Sequence, residues 1–247
     1  MTTTSASFTV LIQGARIGSE QVTVIRSAAG WLIRGTGDLA PPLDLVTTQF
    51  EMQYATDWHP IRLAVEGKFR NQLFSMTTIF GLTTATSEVL QGGQRGSTIQ
   101  PISPRTVVLP NNFLLAYAAL APRLAASAAG TRVPLFIAPE GEFQATIQRI
   151  TPRRIITPDG TVEVREYDLV AALPAGPAPV QVWIDGEDRL ARVVLQATSL
   201  VAVREDLSSV LTRVEKIRNA GDEDLFIPAA GFSLGATITK PVPSVEN

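Results

Sequence analysis

The stretch FTVLIQGARIGSEQVTVIRSAAGWLIRGTG, from Phe8 to Gly37, decides the fold class. Its apolar residues recur at every second position, in the sets Phe8, Val10 and Ile12, then Val22 and Val24, then Trp31 and Ile33. Glycines separate the three sets, and polar residues fill the alternate positions. This period of two predicts three antiparallel strands, each with one buried face and one wetter face.

The same period continues through most of the chain. Glycine-containing breaks return about every 8 to 12 residues, a spacing that favours a meander of antiparallel strands. The clearest hairpin is VQVWIDGEDRLARVVLQAT, from Val180 to Thr198, and we expect Asp185-Gly186 at its turn. The acidic residues of this stretch are therefore interpreted as turn residues and not as a cation site.

Two stretches depart from the strand pattern. Pro110 to Ser127 is rich in Leu and Ala and predicts a helix capped by Asn111 or Asn112, which Pro122 bends or divides. Its apolar residues lie nearly all round, so this helix should be buried. The stretch from Arg204 to Asn219 has helical apolar spacing with a charged opposite face, and it predicts an amphipathic helix.

Together these patterns predict a mainly β (α+β) fold. We expect a long curled antiparallel sheet, or half-open barrel, with a buried Leu/Ala-rich helix and one amphipathic C-terminal helix. The predicted domain spans residues 1–220, and 221–247 form a linker and a further strand. A subdivision near Gly130 would give two sheets in place of one, and the sequence leaves these two arrangements open.

Composition excludes several classes of function. The chain has no cysteine, which excludes disulfides, thiolate catalysis and zinc–sulfur sites, and its one histidine, His59, excludes a multi-histidine metal site within one chain. A net charge of −2 with mixed signs, and no basic cluster beyond Arg153-Arg154, argues against a nucleic-acid partner. No cofactor is predicted. The N-terminal residues lack a signal-peptide pattern, and no apolar run approaches the length of a membrane span.

One stretch matches the residue pattern of a catalytic motif. Gly231-Phe232-Ser233-Leu234-Gly235 matches the G-x-S-x-G nucleophile elbow of serine hydrolases. An elbow needs a strand before the serine and a helix after it, whereas a strand-like ATITKP follows here, and no histidine comes after Ser233. We therefore predict no catalytic residue.

His59 is the one histidine that an esterase mechanism could use, with Asp57 to orient it. The surrounding TDWHP is typical of a turn, with Pro60 opening the next strand and Trp58 covering an edge. We interpret His59 as a turn residue.

The apolar interior is the remaining candidate site. A curled sheet covered by a Leu/Ala-rich helix could enclose a cavity, although a fully packed core is the alternative. The candidate ligand-binding side chains are the large apolar and aromatic residues of these segments, namely Trp31, Phe50, Phe69, Phe74, Phe80, Leu114, Tyr117 and Phe136.

The first hundred residues resemble bacterial domains related to the lipoprotein-carrier fold. The similarity lies in G-x-x-x-G at Gly14–Gly18, in Y-x-x-D-x-x-P from Tyr54 to Pro60, and in TTATSEV further on. This resemblance implies a half-open antiparallel barrel with a helical lid and an apolar concave face. It also implies a periplasmic or secreted location, which the residues themselves leave undecided.

The C-terminal segment FIPAAGFSLGATITKPVPS is similar to the entry segment of bacterial α/β-hydrolases. The matching positions are Gly231, Leu234, Ala236, Thr237, Ile238 and Pro241. The chain departs from those hydrolases by ending before their elbow and triad, so no catalytic residue carries over. The resemblance implies the non-catalytic N-terminal region of an exported hydrolase.

Three hypotheses follow. In the first, the chain is a non-catalytic, carrier-like accessory domain that binds an apolar or lipid-like group or positions a covalently linked hydrolase domain. In the second, it is a free-standing soluble carrier of a hydrophobic ligand. In the third, it is an esterase using Ser233 and His59, which the context of both residues disfavours. The oligomeric state is left open.

Overall fold

The computed structural model describes residues 1–157 and 160–207, which form one 15-stranded sheet around a short helical segment. The strands are β1 Thr2–Ile12, β2 Ala15–Ser27, β3 Gly30–Leu39, β4 Leu45–Tyr54, β5 Pro60–Phe69, β6 Gln72–Phe80, β7 Thr84–Gln91, β8 Gln94–Pro101, β9 Val107–Val108, β10 Arg132–Ile137, β11 Gly141–Thr157, β12 Gly160–Leu173, β13 Gly176–Asp185, β14 Leu190–Leu195 and β15 Leu200–Arg204.

The sheet consists of two meanders joined through their end strands. Strands β1 to β8 pair in sequence, strands β10 to β15 pair in sequence, and β1 pairs with β15 to join them. All described pairs are antiparallel except β9 with β10. The strands on both sides of Gly130 belong to the same sheet, and the predicted long curled antiparallel sheet is confirmed.

The period-two faces of the opening strands are also confirmed. Phe8 and Val10 of β1, Val22 of β2 and Ile33 of β3 are all buried in the same core. They face the concave side of the sheet because residues two apart on a strand point to the same face. The concave surface is thus set by the alternation that the sequence displays.

The Leu/Ala-rich segment fills the concave side as predicted. It forms a 3-10 turn, Leu114–Ala116, followed directly by helix α1, Tyr117–Ala125, and most of its residues are buried. The 3-10 turn contacts β2, whereas α1 contacts β9, β13 and β14. The segment therefore crosses the interior from one meander to the other.

The predicted helix cap is wrong, and of the two effects predicted for Pro122 the division does not occur. No side chain caps the segment, because the Asn111 amide donates to the Glu140 carboxylate (3.3 Å) and Asn112 adopts a left-handed conformation (φ 67°). Pro122 lies inside α1 and does not divide it. The helix type changes at Tyr117, five residues before the proline.

Two glycines of β3 make room for the interior. A Cβ atom on Gly35 would lie 2.6 Å from Cδ1 of Leu115, and one on Gly37 would lie 2.9 Å from Cγ of Glu20. Real Cβ atoms do not approach other atoms this closely, so any side chain here would displace the 3-10 turn or the glutamate. Gly35 is consequently the point at which the helical segment approaches β3 most closely, and Gly37 makes room for Glu20.

Side-chain contacts bring the two meanders together across the opening of the curl. The Ser103 hydroxyl and amide both donate to the Glu142 carboxylate, each at 2.6 Å. Deeper inside, the rings of Phe80 and Phe136 meet edge to face at 5.5 Å. These contacts hold the sheet in a barrel-like shape without pairing β8 to β10 or β11.

A smaller apolar cluster lies apart from the main core. Its fully buried members come from β1, from β11 to β15 and from the residues after β15, namely Leu11, Ile155, Val164, Trp183, Ala191, Val203 and Leu207. Leu11 and Val203 alternate with the core-facing Val10 and Ala202, so this part of the sheet is apolar on both faces.

Some predictions fall on residues that the structure does not describe. Of the predicted amphipathic helix, only Arg204 to Leu207 is described, and residues 221–247, with Ser233, lie outside the described residues. In the described part, no helix is long and apolar enough to cross a membrane.

One buried hydrogen bond ties β4 to β9. The backbone N–H of Val108 donates to the hydroxyl oxygen of Tyr54 at 3.0 Å, and both residues are buried. Burial raises the pKa of Tyr54 well above its usual range, so the hydroxyl stays protonated. The bond satisfies an amide that no water can reach.

We expect Tyr54→Phe to lower the free energy of unfolding by about 1–3 kcal/mol, because it leaves the buried Val108 amide without a partner. Tyr117→Phe is the matched control, since the Tyr117 hydroxyl makes no hydrogen bond to the described residues, and its effect should stay below about 0.5 kcal/mol. Urea denaturation measures both. Equal effects of the two substitutions would contradict the assignment.

Candidate ligand-binding cleft

A cleft of about 580 Å³ opens between the β1–β3 wall, α1 and the β13–β14 turn. Its first wall is formed mainly by inward side chains of β1 and β2, with Trp31 of β3 at the rim. These side chains are Thr4, Ala6, Phe8, Val22, Val24 and Arg26, and Ser5 and Ser7 of β1 also line the cleft. Ala118 and Pro122 of α1 form the second wall. Ligand pockets of drug-sized molecules span about 300–1,000 Å³, so this volume suits a small organic ligand.

The cleft changes from apolar to polar along its length. Phe8 and Val22 are buried at the inner end, Ala6 and Val24 are half-buried, and Thr4 and Arg26 are exposed at the outer end. The register pairs Ala6 with Val22 and Thr4 with Val24, so the side chains of both strands become more exposed toward the same end of the cleft. A ligand lying along them would meet an apolar floor and a polar mouth.

The opposite side of the mouth is a network of charges centred on Asp185. Its carboxylate accepts hydrogen bonds from Arg204 (2.7 Å) and from the side chain and amide of Arg189 (both 3.0 Å). Burial alone would raise the pKa of Asp185, but these donors outweigh burial and hold the pKa below its usual value. The Asp206 carboxylate accepts two further bonds from Arg204. The network fixes the β13–β14 turn against the end of β15.

Aromatic rings stack at the rim of the cleft. Trp31 and Trp58 are stacked, with their centroids 4.4 Å apart and an angle of 23° between the rings, and Tyr54 meets Trp58 edge-on at 5.5 Å. The Arg26 guanidinium lies 4.9 Å from the Trp31 centroid, and that of Arg123 lies 5.8 Å from the Trp58 centroid. Trp58 reaches this position from the β4–β5 turn, where it has a φ of 68°.

A second, much smaller pocket lies near the start of the 3-10 turn. It holds about 70 Å³ and is lined mainly by apolar side chains, including Phe69, Phe74, Met76 and Phe113. Phe113 is in this pocket, whereas Ala118 is in the cleft. The turn Leu114–Ala116 therefore separates the two spaces.

The predicted ligand-binding residues are distributed over three environments. Trp31 lines the cleft, and Phe69 and Phe74 line the small pocket. Phe50, Phe80, Leu114 and Phe136 are buried in the packed core, and Tyr117 is half-buried against it. The structure thus does not gather the eight into one cavity, and their role in binding stays a prediction.

Sequence reasoning missed the side chains that form the cleft floor. The alternation predicts Phe8 on the buried face of one strand and Val22 and Val24 on the buried face of the next, and these faces are correct. The alternation does not predict where α1 and the β13–β14 turn lie. These two elements leave the outer half of these faces uncovered. The loss of apolar character from Phe8 through Ala6 to Thr4 is the signal in the sequence that points to a polar mouth.

His59 occupies the predicted turn. Its amide donates to the Asp57 carboxylate (3.1 Å), and its Nδ1–H donates to the carbonyl of Pro104 (2.9 Å). Pro60 opens β5 as expected. Nδ1 carries the proton, because a carbonyl oxygen only accepts.

Glu20 is the most unusual polar group near the cleft. It continues the inward row of β2 beyond Val22 and is 1% exposed against the backbone of Leu114 and Leu115. Burial raises the pKa of Glu20 to about 8, an effect that the two nearby backbone N–H groups only partly offset. Neither carboxylate oxygen makes a well-formed hydrogen bond to the described residues. At neutral pH this side chain is mostly an uncharged carboxylic acid.

The fold has a counterpart among solved structures. The chain is similar to a β-barrel-like protein of the domain of unknown function DUF1849 from Brucella abortus, with a TM-score of 0.52 and 8% sequence identity. The match covers 81% of this chain and 94% of that chain. No family model and no curated protein matches the chain. At 8% identity the likeness shows a barrel-like β fold and nothing further.

Glu20 should make the stability of the protein depend on pH. Between pH 4.5 and about 8 the folded protein keeps a proton that the unfolded chain has lost, so stability falls as pH rises through this window. We expect Glu20→Gln to match the wild type near pH 5 and to be more stable by about 4 kcal/mol above pH 8.

Urea denaturation at several pH values gives the difference in unfolding free energy between wild type and variant. Glu88→Gln is the control, because Glu88 is exposed on the outer face of β7. A difference for Glu20→Gln that stays constant with pH would show that the carboxyl is not held in its neutral form.

Proposed function

We propose that this domain is a non-catalytic, carrier-like binder of an amphiphilic small molecule, with the apolar part of the ligand in the β1–β2 cleft. The observation that carries the proposal is the gradient from the buried Phe8 and Val22 to the exposed Thr4 and Arg26. A uniformly apolar cavity would suit a hydrocarbon, and a polar groove would suit a sugar or peptide. The observed combination suits a molecule with one apolar and one polar end.

The length of the cleft supports an alkyl or similar tail. Arg26 follows Val22 by four positions, which corresponds to about 13 Å along a strand. An extended chain of about ten carbons has a similar length, given C–C bonds of about 1.5 Å. The tail would contact Val22, Val24, Ala6 and Ala118, which expose few polar atoms.

The hydrolase-related part of the first hypothesis lies on residues 221–247. Positioning a linked hydrolase domain therefore remains a prediction outside the described residues. The proposal of a non-catalytic role draws its support from the described region, where His59 is engaged in a turn. Whether the carrier is free-standing or part of a larger protein does not affect the cleft.

Filling the cleft should weaken binding. We expect Ala6→Phe to weaken the affinity for dodecanol or dodecanoate at least tenfold, because the new ring would occupy the space between Phe8 and Thr4. Displacement of an environment-sensitive apolar dye from the whole chain measures the affinity. Ala172→Phe is the matched control, since Ala172 is exposed on β12.

Two results would contradict the proposal. The first is a wild-type protein that binds neither the dye nor a dodecyl amphiphile below micellar concentrations. The second is an Ala6→Phe variant that folds as the wild type does, by circular dichroism, and binds with unchanged affinity.

A further inference from the structure

We propose that the polar end of the cleft ligand is an anionic headgroup, a carboxylate or a phosphate, that pairs with Arg26 over the ring of Trp31. This inference rests on the proposed function and specifies the chemical class of the ligand. It is drawn from the order of side chains along β2 and from which charged side chains at the mouth already have an ion-pair partner.

The inward side chains of β2 change from buried acidic to apolar to exposed basic along the strand. Glu20 is buried and carries no solvent contact, Val22 and Val24 form the apolar floor, and Arg26 stands at the opening. Residues two apart lie on one face, so these four side chains form a single line. A tail aligned with the two valines would bring its headgroup to Arg26.

Most other charged side chains at the mouth already have partners. Arg189 pairs with Asp185 (2.9 Å) and with Glu187 (3.0 Å). Arg204 pairs with Asp185 and Asp206, both below 3 Å. Binding a headgroup through either arginine would require breaking a pair that is already formed.

The acidic side chains of the mouth are engaged in the same way. Asp188 accepts from Arg165 at 2.8 Å, and Glu205 lies 4.0 Å from Arg16. A cationic headgroup would therefore compete with an arginine at each of these carboxylates. Glu20 offers no alternative, because it does not line the cleft and it is neutral at physiological pH.

Arg26 differs from these arginines. Within residues 1–157 and 160–207 it has no ion pair, and its guanidinium lies over the face of Trp31, 4.9 Å from the ring centroid. A guanidinium that lies over a ring keeps its N–H donors in its own plane, where they can bind a carboxylate or phosphate through two parallel hydrogen bonds. Trp31 thus holds the cation in place and leaves its donors available.

The test compares dodecyl ligands that share a tail and differ in headgroup. Dodecanoate, dodecyl phosphate, dodecanol and dodecyltrimethylammonium are titrated by dye displacement against the whole chain, below their micellar concentrations. We expect the two anions to bind more tightly than dodecanol and the trimethylammonium compound to bind most weakly. The comparison of dodecanoate with dodecyl phosphate then identifies the headgroup.

Substitution of Arg26 tests the contact itself. Arg26→Gln should weaken the binding of both anions roughly tenfold and leave dodecanol within about twofold, and Arg26→Lys should fall between. Arg70→Gln is the matched control, because Arg70 lies 5.1 Å from the Phe69 centroid outside the cleft, and it should leave all affinities unchanged.

A measurement on the wild type covers the case in which Arg26→Gln does not fold. Affinity for the anions should fall with ionic strength, whereas affinity for dodecanol should not. Equal binding of anions and dodecanol, tightest binding of the trimethylammonium compound, or anion binding insensitive to both salt and Arg26 would overturn this inference while the proposed function stands. If no dodecyl ligand binds, the proposed function falls with it.

Discussion

The pairing of β1 with β15 is the interaction on which the rest of the structure depends. The paired residues run from Phe8 opposite Arg204 to Ile12 opposite Leu200, and this pairing makes one sheet of two meanders. Each meander alone would present an apolar concave face to water, and each would have two free edges. Joined, they curl around the same helical segment, and their inward side chains share one core.

The interior depends on a second constraint, the fit of the helical segment against β3. Gly35 and Gly37 lack side chains where Leu115 and Glu20 need space, so the 3-10 turn lies close to the sheet at that point. The same close contact excludes water from the Glu20 carboxyl. Further along, α1 diverges from the β1–β2 wall, and the cleft occupies the gap beside Ala118 and Pro122.

Local patterns in the sequence predicted the strands and their faces, the buried helix, the Asp185 hairpin and the turn at His59, because each depends on neighbouring residues. The helix caps were predicted wrongly because Asn111 binds Glu140, a residue on another turn whose proximity depends on the tertiary fold. The cleft is also a tertiary feature. Val22 lines the same cleft as Leu190 and Arg204 because β1 pairs with β15, and no short stretch of sequence reveals that pairing.

That pairing also has a consequence for synthesis of the chain. A ribosome makes β1 at the start of this stretch and β15 about 200 residues later, which at 5–20 residues per second is a delay of roughly 10–40 s. Until β15 is made, the edge of β1 that carries Val10 and Leu11 lacks the strand with which it pairs in the folded protein. For that period this apolar strand edge is available to pair with other chains, and the joining of the two meanders awaits β15.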